Sequence, residues 1–482
     1  MTGKYPSWIA ALLCLAALTG CVVGPNYHRP SVPPAPAAYK EQPPPNPPNG
    51  SWKQAQPSDA QIKGNWWETY GDPQLNALEE KVAVSNQTLK AQMEAYLQAR
   101  EQVRVARSNY YPTLTAGPSV LRTRLSNNEP SGSNLTKFQF NTFTLQGQVS
   151  WEPDLWGAVR RSVEEARANF QASAADLANV ALSLQAELAT DYFEMRGLDS
   201  QQQILDRTVA ADADYLRLTQ VRFKGGVATD VDVAEAETQL ETVKAQDIDV
   251  GVARAQFEHA IAMLIGQSAS TFSLPPAPLT LPLPMIPTGV PSELLERRPD
   301  IAAAERRADA ANAQIGIAIS AYYPNVQLAG NGGFLSGNAG TWVQGPSSFW
   351  SLGGSAVDLL FDAGRRHAIT DQSREAYEMQ AANYRQSVLN AFQEVEDNLA
   401  ALRILSDEAQ TQTVAVDAAR RSLQLSTRRY KGGVTTYLEV LTAQTTQLTN
   451  EQTQNSITTR QFAASVQLIK ALGGGWDRTQ LP

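Results

Sequence analysis

The chain repeats itself at an interval of about 207 residues. Arg222-Phe223-Lys224-Gly225-Gly226-Val227 returns as Arg429-Tyr430-Lys431-Gly432-Gly433-Val434. Tyr110-Tyr111-Pro112 returns as Tyr322-Tyr323-Pro324, and Leu155-Trp156 with Arg160-Arg161 returns as Leu360-Phe361 with Arg365-Arg366. Solenoid units recur every ~20–50 residues, so a period this long is no solenoid. It marks a duplicated half-protein. Each half must then hold the same set of elements, and one half checks the other.

At 482 residues the chain exceeds what one core organises, roughly 250–300 residues. It is therefore multidomain or elongated. The net charge is −8 and no basic run or stripe occurs, which argues against a nucleic-acid partner. The N-terminus reads as a secretory signal: Lys4, then an apolar stretch from Ile9 to Leu18. That stretch is shorter than the about 20 residues a spanning helix needs. It ends in Leu18-Thr19-Gly20-Cys21, which resembles the bacterial lipobox. Cleavage before Cys21 would free its thiol and its new amine for acylation. By the sorting rule that comes with that resemblance, Val22 rather than an aspartate favours the outer membrane. The other cysteine, Cys14, lies in the signal, so no internal disulfide is expected.

Proline punctuates two tethers, residues 25–50 and Pro275 to Pro291. Elsewhere it leaves two long gaps. None occurs from Asp154 to Leu274 or from Ser347 to Leu481. Arg365 to Lys431 also lacks glycine, and the matching stretch, Ala158 to Lys224, has only Gly197. A helix of about 67 residues is ~100 Å long. Its seam is heptad-like: Tyr377, Ala381, Tyr384, Val388, Ala391, Val395, Leu399 and Leu402, matched by Phe170, Ala174, Leu177, Ala181, Leu184, Leu188, Tyr192 and Met195. Each long helix ends in Lys-Gly-Gly, a cation in the last turn and glycine just beyond. Capping boxes are predicted next, Thr229 with Asp232 and Thr436 with Glu439. Return helices over about 229–266 and 436–472 follow, and helices over about 87–110 and 298–322 precede the Tyr-Tyr-Pro sites.

The rest reads as strands. Phe143, Leu145, Val149 and Trp151 alternate with Thr144, Gln146, Gln148 and Ser150, and Val326, Leu328 and Phe334 alternate with Gln327, Asn331 and Gly333. Segments 113–125 and 348–360 complete one hairpin per half, with Pro118 marking an edge or a bulge and polar tips near 126–141 and 337–347. Strands of about ten residues suit a tilted membrane span. Aromatics gather at one end of all four, as in an interfacial girdle. Four strands alone would expose unpaired backbone groups to hydrocarbon at several kcal/mol each. Three copies supply twelve strands and an open lumen. The subunit is expected to be one third of a conduit.

Several motifs carry a family resemblance: the lipobox, Gly24-Pro25-Asn26-Tyr27 with Pro30, and Trp66-Trp67 with Asp72-Pro73. Arg298-Pro299-Asp300-Ile301 with Ala304-Glu305, both Tyr-Tyr-Pro sites and the paired Gly-Gly turns complete the set. In this order, from Cys21 to about Gly475, they resemble the TolC-like outer-membrane efflux proteins, in particular the lipoprotein branch called NodT-type. The resemblance implies an α+β membrane protein: a homotrimer whose twelve-stranded transmembrane β-barrel, four strands per chain, continues into a long periplasmic α-helical barrel. It implies an exit duct for a tripartite pump, with a periplasmic adaptor and an inner-membrane transporter of the resistance-nodulation-division class as partners. The corresponding division is 1–20 signal, 21–52 lipidated N-terminus and tether, 53–273 first repeat, 274–297 linker, 298–473 second repeat and 474–482 tail.

No enzyme is expected. His28, His259 and His367 are scattered, and HExxH, GxSxG, P-loop and Cys/His metal spacings are absent. No metal and no cofactor is expected beyond covalent lipid on Cys21. In the resembled family the helix ends near the Gly-Gly turns close the pore. Tyr430 matches the gate tyrosine, and Asp232 and Glu439 match gate acids. Thr435 stands where the family has an arginine and Thr442 where it has an aspartate, so that latch is not intact, and Asp230 is a candidate substitute. The structural role of Asp232 and Glu439 as capping acids is compatible with gating. The turns themselves, Gly225, Gly226, Val227, Gly432, Gly433 and Val434, are the expected adaptor contacts. Two other readings stand beside this one: a duct for secreted proteins coupled to an ATP-driven transporter, and a periplasmic coiled-coil lipoprotein without a pore. The latter has no need of two amphipathic hairpins. Cargo is not encoded in any motif.

Overall fold

The computed structural model describes residues 22–36, 38–41, 64–124, 139–286, 291 and 294–482. The signal, Cys21, most of the first tether and residues 125–138 of the first hairpin tip lie outside the described residues. The longer helices are α1 (Pro73–Ser85), α2 (Gln87–Ser108), α3 (Ala158–Lys224), α4 (Asp230–Leu264), α5 (Pro299–Ser320), α6 (Arg365–Lys431) and α7 (Tyr437–Ala471). The strands are β1 (Thr113–Arg124), β2 (Gln139–Trp151), β3 (Asn325–Ser336) and β4 (Ser348–Val357). Both α3 and α6 run for 67 residues. Their ends fall where the proline- and glycine-free stretches end. Among the described residues no helix is long and apolar enough to cross a membrane.

The chain divides into two compact units. The first comprises Met1–Pro30, Tyr96–Ser173 and Ala304–Tyr384. It holds one antiparallel sheet in the order β1-β2-β3-β4. Each half contributes a hairpin, and the halves join where β2 meets β3, from Trp151 opposite Leu328 to Phe143 opposite Ser336. Pro118 lies on β1, an outer strand, where its missing N–H costs no ladder bond to a further strand.

The register gives the sheet two chemically distinct faces. Leu114, Val149, Gly330 and Leu352 lie across from one another, as do Pro118, Leu145, Phe334 and Ser348. That face also carries Val120, Leu328 and Trp350. Thr115, Gln148, Asn331 and Ser351 form a row of the opposite face, with Thr144, Gln146 and Ser150 beside them. The apolar face is bare: Trp350 and Leu352 are 78% and 79% exposed. Bare apolar area of this extent marks a membrane or partner surface.

Aromatic groups stand at the strand bases. The Trp156 ring stacks on Tyr323 at 4.8 Å and its Nε1 donates to Pro324 O at 2.9 Å, while Trp151 Nε1 donates to Tyr110 O at 3.1 Å. Each long helix starts on an aspartate. Asp154 accepts from the backbone of Val159 and Arg160 and pairs with the Arg160 side chain at 2.9 Å. Asp362 serves Arg366 the same way at 2.8 Å. The recurring Arg-Arg pair at the helix start therefore reflects a capping aspartate shared with its guanidinium.

Residues 22–30 form a strap across this unit. Arg161, 2% exposed, donates to Val23 O, Gly24 O and Asn26 Oδ1 at 3.3, 3.2 and 3.1 Å. Asn312 Nδ2 donates to Pro25 O at 3.1 Å, and the Tyr27 hydroxyl to Glu305 O at 3.4 Å. Arg29 reaches the Tyr384 hydroxyl at 2.8 Å and Glu305 at 3.4 Å. Gly24 has φ +91°, and a Cβ there would sit 2.5 Å from Gly316 Cα, so two backbones touch where neither can carry a side chain. The Gly-Pro-Asn-Tyr and Ala-Glu motifs are thus two sides of one contact.

The second unit comprises Ser31–Ala95, Ala174–Ala303 and Arg385–Pro482. Its core packs Trp66, Tyr70, Leu75, Leu78 and Val82 against Tyr192, Phe193, Met195, Ile261, Phe462, Val466 and Ile469. Each buried aliphatic contributes roughly 1.5–3 kcal/mol. Asp72 caps α1 through Gln74 N at 2.8 Å and takes the Tyr192 hydroxyl on its other oxygen at 2.6 Å. Arg298 pairs with Asp300 and Glu394 and donates to Ala471 O at 2.9 Å. Arginines 207 positions apart hold the two tethers: Arg196 donates to Pro275 O at 2.8 Å, and Arg403 pairs with Glu41 at 2.8 Å.

The heptad seam of α6 is as expected from Ala381 on, with Ala381, Tyr384, Val388, Ala391, Val395, Leu399 and Leu402 all buried, while Tyr377 is half-exposed. That of α3 is wider. Leu188, Tyr192 and Met195 are buried, but Phe170, Ala174, Leu177, Ala181 and Leu184 are half-exposed, and Ala172, Ala175, Leu182, Ala186, Ala189 and Phe193 are buried in their place. From Leu182 on, α3 meets the Trp66–Tyr70 turn and α1 as well as its partner helices, so more than one stripe is covered.

Candidate functional site at the paired turns

The two Lys-Gly-Gly turns lie in the second unit and are built alike. After α3, Gly226 N donates to Phe223 O at 2.9 Å and Val227 N to Arg222 O at 2.9 Å. After α6, Gly433 N donates to Tyr430 O at 3.0 Å and Val434 N to Arg429 O at 2.9 Å. These nested bonds form a Schellman motif, which needs a left-handed residue. Gly226 and Gly433 supply it with φ +76° and +72°. Gly225 and Gly432 close the preceding turn onto Val221 O and Arg428 O. Val227 and Val434 project outward, 68% and 71% exposed.

The helix starts that follow differ. Thr229 and Asp232 make the expected capping box: Thr229 N donates to Asp232 Oδ2 at 2.8 Å and Asp232 N to Thr229 Oγ1 at 3.2 Å. Asp230 stands exposed beside them in the first turn. The expected second box is absent, because the Thr436 side chain makes no cap bond. Glu439 instead pairs with Arg429 at 3.2 Å. A guanidinium outcompetes a neutral amide for a carboxylate, and the extra methylene of glutamate reaches it. Both partners are about half-exposed, so the pair is worth under about 1 kcal/mol.

Tyr430 is 2% exposed. Its ring lies 4.5 Å beneath the Arg222 guanidinium and 5.8 Å from Tyr437, and its hydroxyl is 3.1 Å from Thr219 Oγ1. Arg222 Nη1 also donates to Tyr430 O at 2.8 Å. The Arg222 of the first half thereby takes a place next to the tyrosine, while Thr442 turns its hydroxyl back to Leu438 O at 2.9 Å. The structure so brings Tyr430 against α3 and α7, pairs Glu439 with Arg429, and leaves Asp230 and Asp232 at the start of α4. Sequence reasoning missed Arg222, Thr219, Tyr215 and the buried Asp212 below them. Their signal was available as polar residues at seam spacing on α3. Among the described residues no group of His, Cys, Asp and Glu is arranged to hold a metal ion.

Residues 78–267 and 290–474 match the family model described as outer membrane efflux protein, so the match itself falls in two halves. The chain is 30% identical to the probable efflux pump outer membrane protein TtgC of Pseudomonas putida over 482 residues, covering 97% of this chain and 96% of that protein. It is 30% identical over 427 residues to the pyoverdine export outer membrane protein OpmQ of Pseudomonas aeruginosa, covering 87% and 89%. Among solved structures, the outer-membrane channel OprN superposes with a TM-score of 0.86 at 28% identity, covering 95% of this chain and all of that one.

Proposed function

The chain belongs to the outer membrane efflux protein family, and from that premise we propose that it is the passive exit duct of a tripartite pump. It is an outer-membrane efflux channel protein with a periplasmic extension, and the family is one of channels rather than enzymes. The finer reading is a homotrimer fed by a resistance-nodulation-division transporter through an adaptor that docks on the Gly225–Val227 and Gly432–Val434 turns. Cys21 carries lipid in this reading. Val23 N bonds to Trp156 O at 3.1 Å, which starts the described chain beside the strand bases, within reach of a bilayer interface.

The observation that carries the proposal is the two-faced sheet with open outer strands. Its apolar face suits hydrocarbon, its polar face suits a lumen, and among the described residues β1 and β4 each lack an outer neighbour. Unpaired backbone in hydrocarbon costs several kcal/mol per group, so the edges must be paired by further copies. Purified acylated protein reconstituted in planar bilayers tests this. Discrete ion-conducting steps are expected, and silent bilayers from correctly inserted protein would overturn it. The names of the relatives place them in efflux, and no observation favours the protein-secretion or pore-free alternatives.

A further inference from the structure

A row of side chains climbs one seam of α3 toward its turn: Asp212, Tyr215, Thr219 and Arg222, at steps of three and four. The upper members are tied to α6. The Tyr215 hydroxyl lies 2.8 Å from Thr427 Oγ1, and Thr219 and Arg222 hold Tyr430. The lowest member differs in kind. Asp212 is fully buried, and its Oδ1 accepts from Gln444 Nε2 of α7 at 2.5 Å. Gln239 of α4 lies beside the same carboxyl. Asp212 Oδ2, Gln444 Oε1 and the Tyr437 hydroxyl have no partner among the described residues. Of the titratable groups around the junction, Tyr437 of α7 faces Asp212, and Tyr430 of α6, Tyr215 of α3 and Glu235 of α4 face Tyr437. No ion pair reaches Asp212 among the described residues. It is a buried carboxyl bonded to one amide, with a second amide beside it and no cation.

The duplication provides an internal control. The position 207 residues after Asp212 is Ala419, which is also buried, 7% exposed. The counterpart of Tyr215 is Ser422. A seam of the same design therefore closes with a methyl group at this height. Helix packing does not demand a carboxyl, and keeping one there is a property of the first half alone.

We propose that Asp212 is a proton-operated pin of the tip: in its neutral form it joins α3 to Gln444 of α7, beside Gln239 of α4, and its ionisation loosens that junction. This rests on reading the chain as a duct whose turns can open. The chemistry is that of a carboxylic acid facing a primary amide. Such a pair closes through two hydrogen bonds, and the first, Gln444 Nε2–H to Asp212 Oδ1, is present. A proton on Oδ2 gives Gln444 Oε1 the donor it lacks, so one proton satisfies both unpartnered oxygens. Without that proton, Asp212 can donate nothing to Gln444 Oε1, and two lone-pair-bearing oxygens are left against each other.

Burial pushes the Asp212 carboxyl from the ordinary 3.8 up to about 6. The raised value sets the sign. The neutral junction is fully favoured below the ordinary carboxylate range and is lost as pH rises through about 6. If opening hydrates Asp212 and restores its ordinary value, acidification from pH 7 to pH 5 favours the closed junction about tenfold per chain.

Two readouts on the full-length acylated protein test the pin. Hydrogen exchange over residues 205–245 and 437–450, corrected for intrinsic pH dependence, is expected to slow about tenfold in the wild type between pH 7 and pH 5. Asp212→Asn, whose amide can pair with Gln444 through both bonds at any pH, should keep the slow rate at both. Asp212→Ala, which copies Ala419, should keep the fast rate at both. Channel opening in planar bilayers should fall by the same factor per chain in the wild type and lose its pH dependence in both variants. A wild type without the pH shift, or a shift that survives in both variants, overturns the pin. Silent bilayers with the exchange shift intact would sink the duct reading and leave the pin standing. Normal conductance with pH-independent exchange would do the reverse.

Discussion

Arg161→Ala should release the N-terminal strap without disturbing the sheet beside it. The buried guanidinium makes three hydrogen bonds to the strap, to Val23 O, Gly24 O and Asn26 Oδ1. A hydrogen bond to a charged donor is worth about 1.5–3 kcal/mol, and an acceptor left buried and empty costs about 1–3 more. The strap is only half-buried, so water recovers much of this, and about 3 kcal/mol of local stability should be lost. The readout is exchange of the Val23 amide, which bonds to Trp156 O. It should accelerate on the order of 100-fold, while the β2–β3 ladder amides keep their protection. Arg161→Lys should recover little, because one ammonium cannot span three acceptors. Gly24→Ala should reach the same released state by a different cause, the clash with Gly316. Val23 exchange within about fivefold of wild type in both Arg161→Ala and Gly24→Ala would refute the clamp.

Glu79, fully buried with neither oxygen partnered among the described residues, is pushed up to about 9 by burial, so it is neutral at pH 7. Glu79→Gln should raise the melting temperature at pH 7, because the unfolded carboxyl ionises from its ordinary 4.5 while the folded one stays neutral, and it should abolish the loss of stability that the wild type shows between that value and about 9 in a thermal-melt series. Thr229→Ala should cost about 1 kcal/mol of local stability in the first turn of α4 by exchange, whereas Thr436→Ala, with no cap bond to lose, should cost a few tenths. Glu41→Ala should free the first tether from Arg403 and raise protease cleavage near residue 41, while the 274–279 segment held by Arg196 and Arg254 stays protected.

Much of the fold was legible because its strongest signals are absences. A stretch without proline or glycine leaves few alternatives to helix, and the Lys-Gly-Gly ends of α3 and α6 are set by local chemistry. Strand limits were legible within a few residues because alternation is a local property. What failed needed tertiary information. The wide buried surface of α3 follows from the Trp66–Tyr70 turn and α1 packing across it, which no seam count on α3 reveals. The missing box at Thr436 follows from Arg429 lying within reach of Glu439. The strap motif was recognisable as a motif, but that Gly24 meets Gly316 and Asn26 meets Arg161 is a long-range fact. At the turns, the four glycines were read correctly as turn formers. The Asp212 junction was not seen, because an aspartate at one seam position carries no sign of the amides on two other helices.

The central claim is that the open edges β1 and β4 are closed by other copies of the chain. Cross-linking tests it most directly. Within one chain the two strands are separated by two others, so at about 4.8 Å per strand step they stand beyond the ~7 Å Cα limit for a disulfide. Thr115→Cys combined in turn with Ser351→Cys, Gly353→Cys, Ser355→Cys and Val357→Cys, all on the same face, scans the register. Oxidation in membranes should give a covalent ladder that stops at three chains for at least one pair. Monomers throughout the panel, or a ladder that continues past three, would contradict the account.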